Sequence, residues 1–547
     1  MSNNSRALFS ESPLINFSLL FTFCCFLFML VMRILLIFSP AADLGGGVEQ
    51  NVIYSIQMFL DNQPLYTNPH YLPFSITQYT PLYYYVCGLT AKILGLDPLQ
   101  HIRELYIIGR SWSIVFNLFS AAAIYFISRR IFSITQPVAY ILSFASFVLV
   151  LLWDIAARPD SLHDAFALWS VYLVMLYLNT SEGAKQNAKL LIGAALLAVA
   201  AIYTKQSGIQ LPVLFISFFL FIKDWRSAFL TAVVMGLAFA ALLVVFTGLY
   251  HEAFLMNVIG GVDNGISLPY FKKFVMGKFL YKSELLPLAL LVVYISLGKM
   301  VVFKGRLPLR FLCCCCVGMF VFATGTALKQ GSSIHYYFLF LNLALVLLFY
   351  YFVNQAISVH AQASSTKKGA FASFATYGYV VYFLALLALN MLVQFRNVAD
   401  FRYGNAAQIR QERDLAAAQV ATFLKNNLSN NSDEYVFANL PIQETTANRS
   451  LIDNVLFRNC VIPQLDIFES STRPSKVLGY DNIEKCLRNG TIKFIVEPNT
   501  PYHFSILQNF KELKKHNYRL DKVIGPYRIF KYDHHSLQPT QITGAAI

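Results

Sequence analysis

The chain has 547 residues, of which 56% are hydrophobic and only 13% charged. Soluble globular proteins carry about 25% charged residues, so a string of water-soluble domains is excluded. Its 48 Phe and 31 Tyr exclude a disordered chain, and its net charge of +14 implies nucleic acid only if the basic residues cluster on a soluble surface.

A bilayer core takes about 20 apolar residues per helix, fewer where the ends snorkel. On that ruler the chain places membrane helices near 14–38, 105–127, 134–152, 161–179, 188–203, 207–222, 226–248, 285–298, 311–327, 334–353 and 370–393. The expected fold is therefore mainly α, a polytopic membrane helix bundle of about eleven spans over residues 1–395. A small soluble α/β domain follows over residues 396–547. The first apolar stretch is longer than the core of a cleaved signal and reads as a retained helix.

Basic residues orient this bundle. With the N-terminus inside, the cytoplasmic connections hold Arg129, Arg130, Lys185, Lys189, Lys223, Arg226, Lys299, Lys304, Arg306, Arg310, Lys367 and Lys368, opposed there by few acids such as Glu182 and Asp224. The positive charge is thus mostly a topology label, and nucleic acid drops out as a partner. The first loop, 39–104, then lies outside, and so does the C-terminal domain.

That loop contains an amphipathic helix from Val48 to Leu60 and a short Tyr-rich apolar stretch, 81–95, interrupted by Gly88 and Lys92 and expected to lie at the interface. Asp43 follows the first helix and precedes a glycine run. It can accept a proton from a hydroxyl or cap the helix that follows. Glu49 lies six residues on. Tyr66, Tyr71, Tyr79, Tyr83, Tyr84 and Tyr85 can anchor the chain at the interface or present ring faces and hydroxyls to a sugar.

The second outer connection, WDIAARPDSLHD, brings Asp154, Arg158, Asp160 and His163 to one membrane edge, where charges are expensive and tend to be paired or used. An Arg158 salt bridge to Asp160 or Asp154 is the plain alternative. Lys205 ends an apolar span and can snorkel or bind an anion. The loop 250–284 adds His251, Glu252, Asp263, Asn264 and Lys282, and LKQGSSIHYYF adds Lys329, His335, Tyr336 and Tyr337. Arg33, near the outer end of the first helix, can join these cations or snorkel alone. Glycine and small polar residues before a helix offer free amides to a phosphate, with a cation as the matching charge.

In the C-terminal segment, 406–427 has helical spacing. EYVFAN and TIKFIVEP read as strands, SILQNFKELKKHNY as a helix and KVIGPYRIFKY as a closing hairpin. Cysteines 24, 25, 87 and 313–316 read as small apolar residues within membrane helices. Cys460 and Cys486 stand apart in the polar tail, where a disulfide would be allowed in an oxidising compartment.

These features in this order resemble the GT-C class of glycosyltransferases, similar to its bacterial protein-mannosyltransferase and aminoarabinose-transferase branches, over residues 15–345. The matching text is Asp43 after the first helix, then DNQPLYTNP, QYTPLYYYVCGLTAKILG, GRSWSIVFNLFSAAAIYFISRRIF, ARPDSL, YTKQSG and KQGSSIHYYF. The resemblance implies an inverting transfer of a sugar from a polyprenyl-phosphate donor at the outer leaflet, with Asp43 as general base. Tyr79 stands where the aminoarabinose branch has a phosphate-binding lysine, which moves that role to Arg158, Lys205, Lys329 and His335. Glu49, Tyr79, Tyr83, Asp160 and Tyr336 are then the expected substrate contacts. The paired Asp-Glu of the mannosyltransferases is absent, since Gly45 to Gly47 separate Asp43 from Glu49.

The expected partners are membrane lipid, a polyprenyl-phosphate-linked sugar and a glycan, lipid or protein acceptor, at a bacterial inner membrane. No cofactor is expected; a divalent metal could supply phosphate charge but finds no dense acid cluster. A transporter or flippase of lipid-linked saccharides is the alternative, disfavoured because no internal repeat is visible. A ligase of the O-antigen type would place its chemistry in a late loop.

Overall fold

The computed structural model describes residues 13–38, 48–149, 156–180, 187–262, 265–281, 285–302, 306–329, 332, 334–362, 367–428, 434–438, 457, 459–461, 477–499 and 510–533. Asp43, Asp154, Asp263, Asn264 and Lys282 lie outside them.

The helices, in order, are α1 (Pro13–Ile37), α2 (Val48–Leu60), α3 (Leu82–Ile93), α4 (Ile102–Phe126), α5 (Gln136–Leu149), α6 (Asp160–Thr180), α7 (Ala188–Thr204), α8 (Gln210–Phe221), α9 (Trp225–Tyr250), α10 (Leu285–Val302), α11 (Leu307–Ala327), α12 (Phe338–Gln362), α13 (Lys367–Tyr403), α14 (Asn405–Asn427), α15 (Tyr480–Arg488) and α16 (Lys511–Asn517). Among the described residues, every segment expected to span a membrane is largely helical. The count of eleven spans needs correction, because among the described residues five helices are long and apolar enough to cross: 13–37, 102–131, 160–180, 225–250 and 307–327. Some of the others are short: α7 stops at Lys205, an extended residue that separates it from the next turn. Others run into polar sequence, as α12 and α13 do beyond their apolar portions 335–351 and 380–396.

α6 is the central helix, buried along most of its length. It lies against α7, where Ala194, Ala195, Ala198 and Ala201 are fully buried and the Ser170 hydroxyl donates to the Ala194 carbonyl at 2.7 Å. Small residues of this kind let helices approach in a lipid environment that supplies no hydrophobic drive between them. α9 instead exposes Phe229, Leu237 and Val244, as a lipid-facing helix does. Cys313, Cys315 and Cys316 are buried in α11, and all nine cysteines are free thiols.

α2 buries Val52 and Ile56 of its predicted apolar face, with Phe59 half-buried, and its polar residues Glu49, Gln50, Asn51, Ser55 and Gln57 are buried too. α3 has only 12 residues, about 18 Å at 1.5 Å per residue, too short to cross a bilayer. Its Tyr83, Tyr84, Cys87 and Ala91 are buried while Leu89 and Ile93 are exposed, so one face packs against the protein and the other is open.

Toward the C-terminus five strands, β1 (Tyr435–Ala438), β2 (Cys460–Val461), β3 (Ile492–Pro498), β4 (Tyr518–Ile524) and β5 (Tyr527–Tyr532), form one sheet in the order β2-β1-β3-β5-β4. The first three are parallel; β5 is antiparallel to β3 and to β4. The expected strands, closing hairpin and helix α14 are all present, and α16 covers the described part of the expected second helix. One face of the sheet packs Val436, Phe494 and Val496 on Ala417, Val420 and Leu424 of α14. The other packs Phe437, Val461 and Ile495 on Ile483 and Leu487 of α15. Cys460 lies on the first face and Cys486 beside the second, so the sheet separates the two thiols and no disulfide joins them.

Both faces also receive the first loop. Tyr54 and Met58 of α2 enter the first core, with the Tyr54 and Phe457 ring centroids 5.3 Å apart, and Phe74 and Ile76 enter the second.

Candidate functional site

Four chain segments meet at the N-terminal end of α6. Asp160 opens that helix directly after Pro159, and Arg158 is the last residue of the approach. Lys205 occupies the break between α7 and the 3-10 turn Gln206–Ile209. His335 and Tyr336 lie in the 3-10 turn Ile334–Tyr337 that leads into α12, and Tyr79 in the extended segment before α3.

Their side chains converge on the Asp160 carboxylate. Lys205 Nζ is 2.5 Å from Oδ1, His335 Nε2 is 3.6 Å from the same oxygen, and Arg158 Nε is 3.2 Å from Oδ2. Arg158, Asp160, Lys205 and His335 are all less than a tenth exposed. The Lys205 ammonium lies 4.6 Å from the Tyr336 ring centroid and 6.0 Å from that of Tyr79, and the His335 and Tyr336 rings lie 4.3 Å apart. Burial alone would drive Lys205 toward the neutral amine. The Asp160 carboxylate overrides it and holds the lysine above its ordinary value. Burial also pushes the Tyr79 phenol up to about 12, so it remains a neutral donor. Two cations and an imidazole thus gather around one carboxylate in a buried recess, the kind of setting in which a charge-assisted contact to an anion is strong.

The cluster is fixed from behind by a second buried pair. Glu49, in the first turn of α2, accepts from Arg110 Nε at 2.6 Å and Nη2 at 2.7 Å, and from the Ala157 amide at 2.8 Å. Gly109 is what lets Ala157 come this close. A Cβ built on Gly109 would sit 2.4 Å from that of Ala157. The residue before Arg158 is therefore clamped to α2 and α4 together. Beside the cluster, His163 Nδ1 lies 2.8 Å from Asp164 Oδ1 and its Nε2 lies 3.3 Å from Ser207 Oγ.

Of the expected site residues, Arg158, Asp160, Lys205, His335, Tyr79 and Tyr336 come together. The Arg158–Asp160 ion pair is real and belongs to the cluster, so the two readings of Arg158 merge. Tyr83 donates to the Gly109 carbonyl at 3.0 Å, within the helical core. Glu49 holds Arg110. Lys329 follows α11, half-buried and bridged to Ile266. Arg33 is fully buried, its Nη2 donating to the Phe147 carbonyl at 2.6 Å with the guanidinium 3.9 Å from the Phe147 ring centroid, so it does not snorkel. Arg110, Gln206 and Asn257 escaped sequence reading as site-building residues. The signal for Arg110 was available, a charge within an apolar span. Among the described residues no group of three or more His, Cys, Asp and Glu is placed to hold a metal ion.

Residues 79–251 match the family model described as dolichyl-phosphate-mannose-protein mannosyltransferase, an interval that includes Tyr79, Arg110, Arg158, Asp160 and Lys205. No curated protein sequence matches the chain. Among solved structures, ArnT from Cupriavidus metallidurans bound to undecaprenyl phosphate superposes with a TM-score of 0.55 at 15% identity, covering 94% of this chain and 98% of that one. The apo oligosaccharyltransferase of Archaeoglobus fulgidus gives 0.55 at 11% identity, covering 88% and 69%. AglB of the same organism, in complex with an inhibitory peptide and a dolichol-phosphate, gives 0.52 at 11% identity, covering 96% and 75%. The chain has the fold of the GT-C membrane glycosyltransferases, and its residues 79–251 carry the sequence pattern of the protein-mannosyltransferase family model.

Proposed function

We propose that this protein is an inverting glycosyltransferase that moves a hexose or pentose from a polyprenyl-phosphate donor to an acceptor hydroxyl at the outer face of a bacterial inner membrane. The observation that carries the reading is the buried convergence of Arg158, Lys205 and His335 around Asp160, with Tyr79 and Tyr336 beside the lysine. The lipid phosphates named with ArnT and AglB support the choice of ligand. The cytoplasmic bias of the basic residues supports the orientation, which puts the first loop and the C-terminal sheet outside.

In this reading the phosphate of the donor enters the cluster and is bound by its cations. Arg158 offers a planar fork and Lys205 a point charge to its oxygens. As the acceptor oxygen bonds to the anomeric carbon, the bond from that carbon to the phosphate oxygen breaks. Negative charge grows on the departing lipid phosphate, where preorganised cations are worth most. Asp43 takes the acceptor proton, the neutral Tyr79 hydroxyl donates to the sugar-linked phosphate, and the Tyr336 ring orients the sugar. Lys329 joins the phosphate contacts from the α11 end.

The test is transfer of radiolabelled sugar from polyprenyl-phosphate donors in membranes, comparing wild type with Asp43→Asn. Removal of a general base costs roughly 10²–10⁴-fold in rate. Undiminished transfer by the variant would remove Asp43 from that role. Passage of labelled lipid across the bilayer with no transfer under any condition would replace this reading with a transporter.

A further inference from the structure

We propose that the C-terminal sheet sets the position of Tyr79 in the cluster, with Phe74 and Ile76 as positioning residues that act through the segment 77–80. This rests on the reading of the cluster as a phosphate site, yet the mechanical part stands on geometry alone. Phe74 and Ile76 are buried in the core formed by Phe437, Val461, Leu478 and Ile483, more than 350 residues away in sequence. Just upstream, Asn482 donates from Nδ2 to the His70 carbonyl at 2.8 Å. Gly479 touches the same backbone so closely that an added Cβ would lie 2.6 Å from the His70 oxygen. Phe74 itself has φ of 59°, with its amide bonded to the Tyr71 carbonyl at 2.6 Å. The chain thus enters the sheet core through a fixed turn.

From that anchor the segment runs straight to the cluster and is pinned at each step. The Thr77 amide donates to Asn257 Oδ1 at 2.7 Å, and the Thr77 hydroxyl to the Leu65 carbonyl at 2.8 Å. Gln206, the neighbour of Lys205, donates to the carbonyls of Gln78 at 2.6 Å and Val258 at 2.9 Å. The Tyr66 hydroxyl donates to the Tyr79 carbonyl at 2.7 Å, and the Thr80 hydroxyl to the Ile202 carbonyl at 2.8 Å. Five residue steps lead from Phe74 to Tyr79, at most about 17 Å of chain even when fully extended. So short a tether has little slack. In this proposal a shift of Phe74 in the sheet core is relayed along 75–78 to Tyr79, and misplacement by about 1 Å at a reacting centre is enough to cost roughly 100-fold in rate.

The test uses the full chain in detergent micelles with undecaprenyl phosphate as probe, and compares wild type, Phe74→Ala and Phe74→Leu. Two quantities are read: amide exchange across residues 75–80 and across α6, and lipid affinity. Phe74→Ala should speed exchange at 75–80 about ten-fold or more while α6 is unchanged, and weaken lipid binding about ten-fold. Phe74→Leu should restore both. If Phe74→Ala does not fold, Asn482→Ala removes one hydrogen bond to His70 and no core volume, and carries the same two readouts. Unchanged exchange at 75–80 in a folded variant overturns the coupling. Faster exchange with unchanged lipid affinity overturns the positioning role. Absence of lipid binding by wild type itself would count against the phosphate reading instead, and the exchange result would still decide the coupling.

Discussion

Lys205 is held by a carboxylate 2.5 Å away and lies 4.6 Å from the centroid of a tyrosine ring, an arrangement that no short motif announces. YTKQSG alone reads equally well as a lysine snorkelling from the end of a span, because the sequence cannot show that Asp160, 45 residues earlier, comes within reach. Truncation of a cation that meets developing charge typically costs about 10²–10³-fold, so Lys205→Ala should lower transfer by that amount. Lys205→Arg should recover part of it, since the charge returns with a different geometry. The pH dependence follows from sign. Lys205 is held above its ordinary value, so its contribution persists through the neutral range and is lost only as pH rises past that value. Affinity for undecaprenyl phosphate, measured in micelles, should therefore be flat between about pH 8 and 9.5, where the phosphate is already fully ionised. A fall across that window would show that Lys205 is not held as a cation.

At the scale of elements, the Glu49–Arg110 pair joins α2 to α4 and, through the Ala157 amide, to the approach of α6. Both side chains are essentially unexposed, and removing one partner from a buried pair leaves an uncompensated charge that costs about 3–5 kcal/mol. Glu49→Ala should destabilise the protein by that amount in reversible unfolding in detergent, whereas an exposed pair such as Arg488–Glu484 should contribute less than about 1 kcal/mol. The spacing of apolar residues made α2, α3 and the helices of the bundle legible, since burial on one face is written into the chain with the period of the helix. What remained hidden is pairwise and long-range. The partner of Glu49 was not legible, because nothing near it in sequence revealed Arg110. Whether Cys460 and Cys486 pair stayed open for a related reason, since sequence does not tell which face of a sheet a thiol occupies. Span counting erred where an apolar run is broken by one extended residue, as at Lys205, or shares its helix with polar turns, as in α12 and α13.

For the whole molecule, the first loop is built into both faces of the C-terminal sheet and so joins the sheet to the helical bundle. In the proposed orientation that end lies outside. Protease added to intact spheroplasts should therefore cut within residues 396–547, while the same protease acting on inside-out vesicles should leave that segment intact; the reverse pattern would invert the orientation. The central claim is that the Asp160-centred cations receive a lipid phosphate, and the most direct measurement is binding of undecaprenyl phosphate to purified wild-type protein and to the Arg158→Ala, Lys205→Ala double variant. Saturable binding by wild type, weakened about 100-fold or more in a double variant that still folds, is the result this account predicts. Equal affinity of the two proteins would contradict it.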